Sequence, residues 1–133
     1  MLYTLLFLLL VKHFICDFGI QGKYPRPTLK HKLTSKVGHL HARDHAVGSA
    51  IVFFIISLSI FIVSKQNVAF SILLFAIIDY GLHFFIDWLK NNFKIANNWD
   101  EDSREYWILT TVDQILHTVT YLSYVIIFDI YFF

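Results

Sequence analysis

Pairs of histidine and aspartate side chains recur along this chain at a spacing of four residues. Four such pairs that share no residue are His13/Asp17, His41/His45, His83/Asp87 and Asp113/His117. Side chains four positions apart lie on one face of an α-helix, with Cβ atoms about 6 Å apart. Both members of a pair can therefore bind one metal ion or two adjacent ions. Imidazole and carboxylate groups together suit zinc, manganese or iron.

These eight side chains are more than the four ligands of a tetrahedral zinc ion. Two ions about 3.5–4 Å apart would use most of them, and this arrangement drives many hydrolytic displacements. The pattern therefore predicts one or two divalent transition-metal ions, with zinc, manganese and iron as candidates. The alternative is a structural network, because hydrogen bonds between such side chains also join membrane helices without any metal.

Further polar side chains extend or adjoin the same helix faces, namely Gln21, Asp79 and Gln114. Groups that hydrogen-bond to metal ligands fix their orientation, and their loss typically costs about 10–100-fold in affinity or activity. We expect these three residues to orient ligands or substrate. Lys12 would either extend to the cytoplasmic interface or act inside the site, and no role follows from the sequence for His39 or Asp129.

The composition is that of a membrane protein. The chain is 56% hydrophobic, which exceeds the apolar content of ordinary soluble domains, and residues 46–64 contain no charged side chain. A stretch of this length spans a hydrocarbon core of about 30 Å. Ionisable groups at membrane depth are costly and mark functional sites, and each pair falls near the end of an apolar stretch. A soluble bundle with one very apolar helix is the alternative.

The apolar stretches predict an all-α fold, a four-transmembrane-helix bundle in a single integral membrane domain over residues 1–133. The predicted helices cover residues 2–20, 37–64, 68–91 and 105–133. Pro25 and Pro27 break any helix in the connector after the first one. The start lacks a basic segment and a small-residue cleavage site, so we expect a retained helix rather than a signal peptide. The single cysteine, Cys16, excludes an intramolecular disulfide.

Lysine and arginine residues are concentrated in two connectors, between helices 1 and 2 and between helices 3 and 4. They are Lys23, Arg26, Lys30, Lys32, Lys36, Arg43, Lys90, Lys94 and Arg104. The positive-inside rule places both connectors in the cytoplasm and both termini outside, in a bacterial inner membrane. With this orientation all four pairs lie at a similar depth near the cytoplasmic face. The orientation follows from the positions of lysine and arginine alone, so the similar depth of the four pairs independently supports one shared site.

The pairs stand in motifs that resemble those of a known family. The motifs are His13-x-x-x-Asp17-Phe18-x-x-Gln21, His41-x-x-x-His45, His83-Phe-Phe-Ile-Asp87-Trp-Leu-Lys90 and Asp113-Gln114-x-x-His117. They make the chain similar to a family of small integral membrane proteins of unknown function from bacteria and phages. That family is distantly similar to YdjM-like proteins, described as membrane-bound metal-dependent hydrolases. The resemblance implies four membrane helices and metal-dependent hydrolysis, and it gives no substrate.

The sequence thus leads to the hypothesis of a membrane-embedded metal-dependent hydrolase with its site near the cytoplasmic face. Its substrate would be membrane-associated, such as a lipid phosphoester, because a site at headgroup level meets lipids first. The alternatives are a metal transporter or carrier, a non-enzymatic membrane effector that binds a protein partner, and an oxidative di-iron enzyme. Membrane lipids are expected partners, nucleic acid is not, and a homo-oligomer is left open.

Overall fold

The computed structural model describes residues 1–20, 22, 30, 32–65 and 68–132. Helix α1 covers Leu2–Phe14 and is followed by a π-helix over Ile15–Ile20; α2 covers Lys36–Ser64, α3 covers Phe70–Ala96 and α4 covers Arg104–Phe132. Every regular element of the described ranges is helical, which confirms the predicted all-α class. Residues 25 and 27, the prolines expected to break the first connector, lie outside the described residues.

Local interactions explain where α2 begins and ends. The Ser35 hydroxyl accepts a hydrogen bond from the Gly38 backbone N–H at 3.1 Å, as an N-cap residue does. At the other end Lys65 adopts a left-handed backbone with φ of 62°, and its N–H donates to the Phe61 carbonyl. A left-handed cap of this kind satisfies one of the last carbonyls and ends the helix.

Helix α3 continues beyond the predicted boundary at residue 91. The side-chain amide of Asn91 donates to the Asp87 carbonyl, one turn earlier, at 2.8 Å. This asparagine is therefore accommodated inside the helix instead of ending it. The helix ends just before Asn98, which adopts a left-handed φ of 53°, a conformation that asparagine tolerates better than most residues.

The core of the bundle has two halves of different character. The apolar half contains large side chains with no exposed surface, which are Leu5, Leu9, Phe53, Phe75 and Phe128. The stacked rings of Phe53 and Phe75, with centroids 4.3 Å apart, join α2 to α3 there. The other half is polar, and it lies towards the end of the bundle where the π-helix and α3 end and where α2 and α4 begin.

Helix α3 contributes to both halves through one buried stripe. The buried side chains are four residues apart, and along the helix they are Ser71, Phe75, Asp79, His83 and Asp87. Since four residues make slightly more than one turn, these side chains share one face. The stripe therefore carries the polar residues of α3 to the same end of the bundle as those of the other helices.

Three helical segments are long and apolar enough to cross a membrane, namely Leu2–Ile20, Lys36–Val63 and Phe70–Ala96. Large apolar side chains on their outer surfaces are exposed, among them Phe7, Phe54, Ile62 and Phe70. Extended apolar surfaces are unusual on soluble monomers and are typical of surfaces that contact lipid or a partner. Together, the length of the segments and their apolar surface indicate a membrane protein.

Candidate metal centre

The eight predicted ligands lie together in the polar half of the core. Each of the four helical segments contributes to the cluster, which consists of His13, Asp17, His41, His45, His83, Asp87, Asp113 and His117. The rings of His45 and His83 are stacked with centroids 3.5 Å apart, and those of His83 and His117 are stacked 4.2 Å apart. The five histidines are all buried. The structure therefore brings every predicted ligand into one compact group.

The Asp17 carboxylate contacts histidines from two helices. Its Oδ1 atom lies 3.1 Å from Nε2 of His41 and 3.1 Å from Nε2 of His45. Its Oδ2 atom lies 3.2 Å from Nε2 of His13. Asp17 is part of the π-helix Ile15–Ile20, and π-helical turns inside helices are frequent at functional sites.

Three histidines and Asp17 form the group with the most candidate ligands. The ligand atoms of Asp17, His41, His45 and His83 all lie within 4.8 Å of one another. Around a tetrahedral zinc ion the ligand atoms are about 3.3 Å apart, because each is about 2.0 Å from the metal. The group is thus close to the dimensions of a four-ligand site. Two further groups have three members each, and their ligand atoms also lie within 4.8 Å of one another. They are His13, His83, His117 and Asp87, Asp113, His117.

Two histidines of the four-residue group have no hydrogen-bond partner within the described part of the chain. Both ring nitrogens of His41 and of His83 are buried without one. His41 Nε2 does lie 3.1 Å from Asp17 Oδ1, but that contact lacks the geometry of a hydrogen bond. An unsatisfied buried polar group costs about 1–3 kcal/mol. A metal ion would bind such a nitrogen, so the donor set fits a divalent metal.

Lysine side chains neutralise the other two carboxylates of the cluster. Lys30 Nζ donates to Asp87 Oδ2 at 2.5 Å, and Lys90 Nζ donates to Asp113 Oδ2 at 2.9 Å. Asp17, in contrast, has no lysine or arginine partner among the described residues. Asp17 is therefore the carboxylate of the cluster whose negative charge a bound metal ion would balance.

Gln114, which the sequence predicts to orient ligands, contacts three of them. Its amide donates to Asp17 Oδ2 and to Asp113 Oδ2, at 3.2 Å in each case. Its carbonyl oxygen lies 3.1 Å from Nε2 of His13, and the other nitrogen of that ring lies 3.1 Å from the Tyr121 hydroxyl. Both nitrogens of His13 therefore have partners in the protein, and both nitrogens of His45 also have contacts, with Lys12 Nζ at 3.5 Å and Asp17 Oδ1 at 3.1 Å.

Asp79 lies beside the cluster and reaches it through Lys12. Its carboxylate accepts hydrogen bonds from Lys12 Nζ at 2.6 Å and from the Ser49 hydroxyl at 2.8 Å. Lys12 also donates to the backbone carbonyl of His45 at 3.1 Å. Lys12 thus lies inside the bundle rather than at the interface, where it forms a buried ion pair that joins α1 to α3 and touches a ligand of the cluster.

Three other residues considered in the sequence fall elsewhere. Gln21 lies outside the described residues. His39 is held between the Tyr80 hydroxyl at 2.7 Å and the Leu33 carbonyl at 2.8 Å. Asp129 is exposed near the end of α4. His39 and Asp129 are therefore separate from the cluster, so substitutions of these two residues provide controls for substitutions within it.

A chamber of about 410 Å³ adjoins the cluster on the side of the two long connectors. Its charged wall consists of the carboxylates of Asp17, Asp87, Asp113 and Glu101 and the ammonium groups of Lys30, Lys90 and Lys94. From the sequence these lysines indicate membrane topology, and Lys90 also belongs to one of the motifs, but none of them is predicted to line the site. Lys90 stands three residues after Asp87, on the same helix face, so its spacing could have placed it at the site. Lys30 lies in the connector, where no spacing rule applies.

Comparison with known protein families gives a match to nearly the whole chain. Over residues 5–132 the sequence matches the model of a family described as "Protein of unknown function (DUF3307)". No curated protein and no solved structure matches the chain. The match agrees with the expected membership in a family of unknown function, and it does not tie the chain to YdjM-like hydrolases.

Proposed function

The chain belongs to the DUF3307 family, whose function is unknown, and we propose that it is a membrane-embedded hydrolase that depends on a divalent metal. The observation that carries this proposal is the buried cluster of histidine and aspartate side chains, in which His41 and His83 have ring nitrogens without hydrogen-bond partners. The proposed substrate is membrane-associated, because the cluster adjoins a chamber at one end of a bundle with an apolar outer surface.

The proposed ligands of the first ion are Asp17, His41, His45 and His83. Their ligand atoms are mutually close, and their one carboxylate has no lysine or arginine partner in the described ranges. A second ion, if the protein binds two, would take Asp87, Asp113 and His117. A bound zinc, manganese or iron ion would polarise the bond to be broken and supply a nucleophilic water at neutral pH. Gln114 would hold the two carboxylates that it contacts in a fixed orientation.

The proposed membrane topology has four spans in a bacterial inner membrane. Helix α4 has 29 residues and is thus about 44 Å long, and apolar side chains such as Ile115, Val119 and Ile126 are exposed along it. The lysine and arginine bias supports cytoplasmic connectors and external termini. With this topology the chamber opens at the level of the cytoplasmic headgroups, where it would meet a lipid substrate.

The apolar half of the core supports an enzyme over a metal transporter or carrier. Transit would need polar groups along the whole bundle, but that half is filled by fully buried side chains such as Leu9, Phe53 and Phe128. Adjacent groups of histidine and aspartate ligands are the arrangement with which metal ions activate water in many hydrolytic displacements, and this supports hydrolysis as the reaction. A membrane effector that works by binding a protein partner would need no metal, and this difference is tested below.

The test uses the full chain, purified in detergent and loaded with zinc, manganese or iron in separate samples. Each sample is incubated with a bacterial polar-lipid extract in mixed micelles, and the lipid products are followed by mass spectrometry. We expect conversion of at least one lipid class, its loss on chelation, its return with added metal and its absence in Asp17→Asn. The matched control Asp129→Asn changes an exposed aspartate outside the cluster and should convert lipid normally.

Metal-loaded protein that converts no lipid under any of these conditions would contradict a lipid hydrolase. Conversion that survives chelation or is unchanged in Asp17→Asn would contradict the metal-dependent mechanism. If instead the protein binds no metal and co-purifies with one defined membrane protein, the cluster is a structural network and the effector alternative holds.

A further inference from the structure

The charged wall of the chamber carries three ammonium groups, and these suggest what the substrate presents to the metal centre. They belong to Lys30, Lys90 and Lys94. Lys30 and Lys90 donate to carboxylates of the cluster, whereas Lys94 Nζ lies 4.7 Å from the centre of the Tyr106 ring. All three side chains line the same space as Asp17, so a molecule bound there would contact lysines and metal ligands together.

Lys90 has donors left after its ion pair is formed. A lysine ammonium has three N–H groups, and its contact with Asp113 Oδ2 at 2.9 Å uses one of them. The ion pair therefore holds Lys90 at the chamber wall without using all its donors. Lys94 is held over the face of Tyr106 by a cation–π contact, which leaves the N–H groups directed away from the ring for other partners.

A neutral donor on the same wall lacks a partner. The Thr110 hydroxyl oxygen is buried and has no hydrogen-bond partner within the described part of the chain, and Thr110 lines the chamber. The amide of Asn91 lies on this wall as well, and its contact with the Asp87 carbonyl uses only one of its two N–H groups. Several separate donors around one space match an anion with several acceptor oxygens, and lysine is a common point-charge ligand of phosphate.

The charge balance makes anion binding depend on metal. Among the described residues, three lysines and four carboxylates line the chamber, so with neutral histidines this part of the wall carries one net negative charge and disfavours an anion. One divalent ion at the cluster changes this net charge to one positive, and two ions raise it further. A low-dielectric, partly enclosed space strengthens such electrostatic effects.

From these observations we propose that the chamber is a phosphate-recognition site, in which Lys90, Lys94 and Thr110 bind the phosphoryl oxygens of the substrate once the cluster holds metal. This inference rests on the proposed function and assigns its substrate class, a phosphoester. The phosphoryl group could belong to a lipid headgroup or to a soluble phosphate compound, which share this chemistry. The aromatic side chains of Tyr106 and Trp107 on the wall would contact the organic part of the substrate.

The test measures binding of inorganic phosphate to the full chain in detergent by isothermal titration calorimetry, with metal content determined on the same samples. We expect phosphate to bind to metal-loaded protein and not to chelated protein. Lys94→Ala and Thr110→Val should each weaken phosphate binding about tenfold or more, since a hydrogen bond to a charged group contributes substantially to affinity. Neither residue contacts the eight proposed ligands among the hydrogen bonds and ion pairs described, so metal content should be unchanged.

Lys65→Ala is the matched control. Lys65 is exposed and lies in the turn that ends α2, away from the chamber, so this variant should bind phosphate as the unaltered protein does. Phosphate affinity that is equal in Lys94→Ala, Thr110→Val and the unaltered protein, with metal bound in all three, would overturn the phosphate site and leave the metal centre intact. Absence of metal from the unaltered protein would overturn the proposed function itself, and the site with it.

A second arm identifies the source of the phosphoryl group. The protein is placed in maltoside micelles that contain oleic acid or phosphatidic acid at matched negative charge, and the phosphate titration is repeated. Weaker apparent phosphate binding with phosphatidic acid than with oleic acid assigns the site to lipid headgroups. Equal binding in both kinds of micelle assigns it to soluble phosphate compounds.

Discussion

Lys12 and Asp79 form an ion pair at the boundary between the polar and apolar halves of the core, with Nζ 2.6 Å from Oδ2. The side chains are only 8% and 1% exposed, so neither charge is compensated by water. Asp79 also accepts from Ser49, and Lys12 contacts the His45 carbonyl. The pair thus links three helices just beside the candidate metal centre, and its loss should affect both stability and the centre.

Breaking this pair should destabilise the protein strongly. Asp79→Leu or Lys12→Met alone leaves one buried charge without a partner, which costs about 3–5 kcal/mol. The double variant should recover most of this loss, because replacing a whole buried pair with apolar side chains is often neutral. The measurement is the free energy of unfolding in mixed detergent micelles, with Lys65→Met as the control, where about 1 kcal/mol or less is expected because Lys65 is exposed. Equal effects of the buried-pair variants and Lys65→Met would contradict a stabilising role of the pair.

The position of Lys12 also depends on the absence of a side chain at Gly48. A Cβ atom at Gly48 would lie 3.1 Å from Lys12 Cδ and 3.7 Å from Cys16 Sγ, whereas at Gly81 it would meet nothing within 4 Å. Both glycines lie inside helices. Gly81→Ala should therefore stabilise the protein by about 1 kcal/mol through helix propensity. Gly48→Ala should lose that gain or destabilise, and thermal unfolding of the two variants compares them directly. A gain of equal size at both positions would show that Lys12 is not fixed.

Gln114 should increase metal affinity because it holds several proposed ligands in place at once. It contacts Asp17, Asp113 and His13, so Gln114→Ala should lower metal affinity about 10–100-fold, as is typical when ligands lose their orientation. Thr111→Ala on the same helix removes an exposed hydroxyl that bonds to a backbone carbonyl and should leave affinity unchanged. Competition with a metal-binding dye measures both. Unchanged affinity in Gln114→Ala would show that this residue does not orient the ligands.

The proposed orientation can be tested with single cysteines in a Cys16→Ser background. Lys65 and Glu101 are both exposed and lie in the turn after α2 and the connector before α4, on opposite sides of the membrane in the proposed topology. A membrane-impermeant maleimide should label Lys65→Cys in intact spheroplasts and Glu101→Cys only after lysis. The reverse labelling pattern would place the connectors and the chamber outside, and labelling of both in intact cells would contradict alternate crossing of the membrane.

The helices and the convergence of the polar pairs could be predicted from sequence because both follow from local rules. One charge-free stretch long enough for a membrane span, residues 46–64, and the apolar stretches around it predict the helices, and the four-residue spacing predicts which polar side chains share a face. Alternating chain direction then brings His13, His41, His83 and His117 to one end of a bundle. The structure brings these residues together as the pattern indicates.

The partners of individual side chains could not be predicted, because they depend on how each helix is rotated about its axis. Lys12 and Asp79 are 67 positions apart, and no spacing rule connects them. Lys30 reaches Asp87 from a connector without a sequence signature. The hydrogen bond from Asn91 to the preceding turn extends α3 beyond its predicted end, although asparagine favours helix ends and turns.

Metal binding by the cluster is tested most directly by elemental analysis of the detergent-purified protein, with the His83→Ala and His39→Ala variants measured in parallel. His83 is buried in the cluster with both ring nitrogens unsatisfied, whereas His39 is bonded to Tyr80 and Leu33 outside it. We expect one or two equivalents of zinc, manganese or iron in the unaltered protein and in His39→Ala, with a clear loss in His83→Ala. Folded protein without metal, or metal retained in His83→Ala, would contradict metal binding by the cluster through His83.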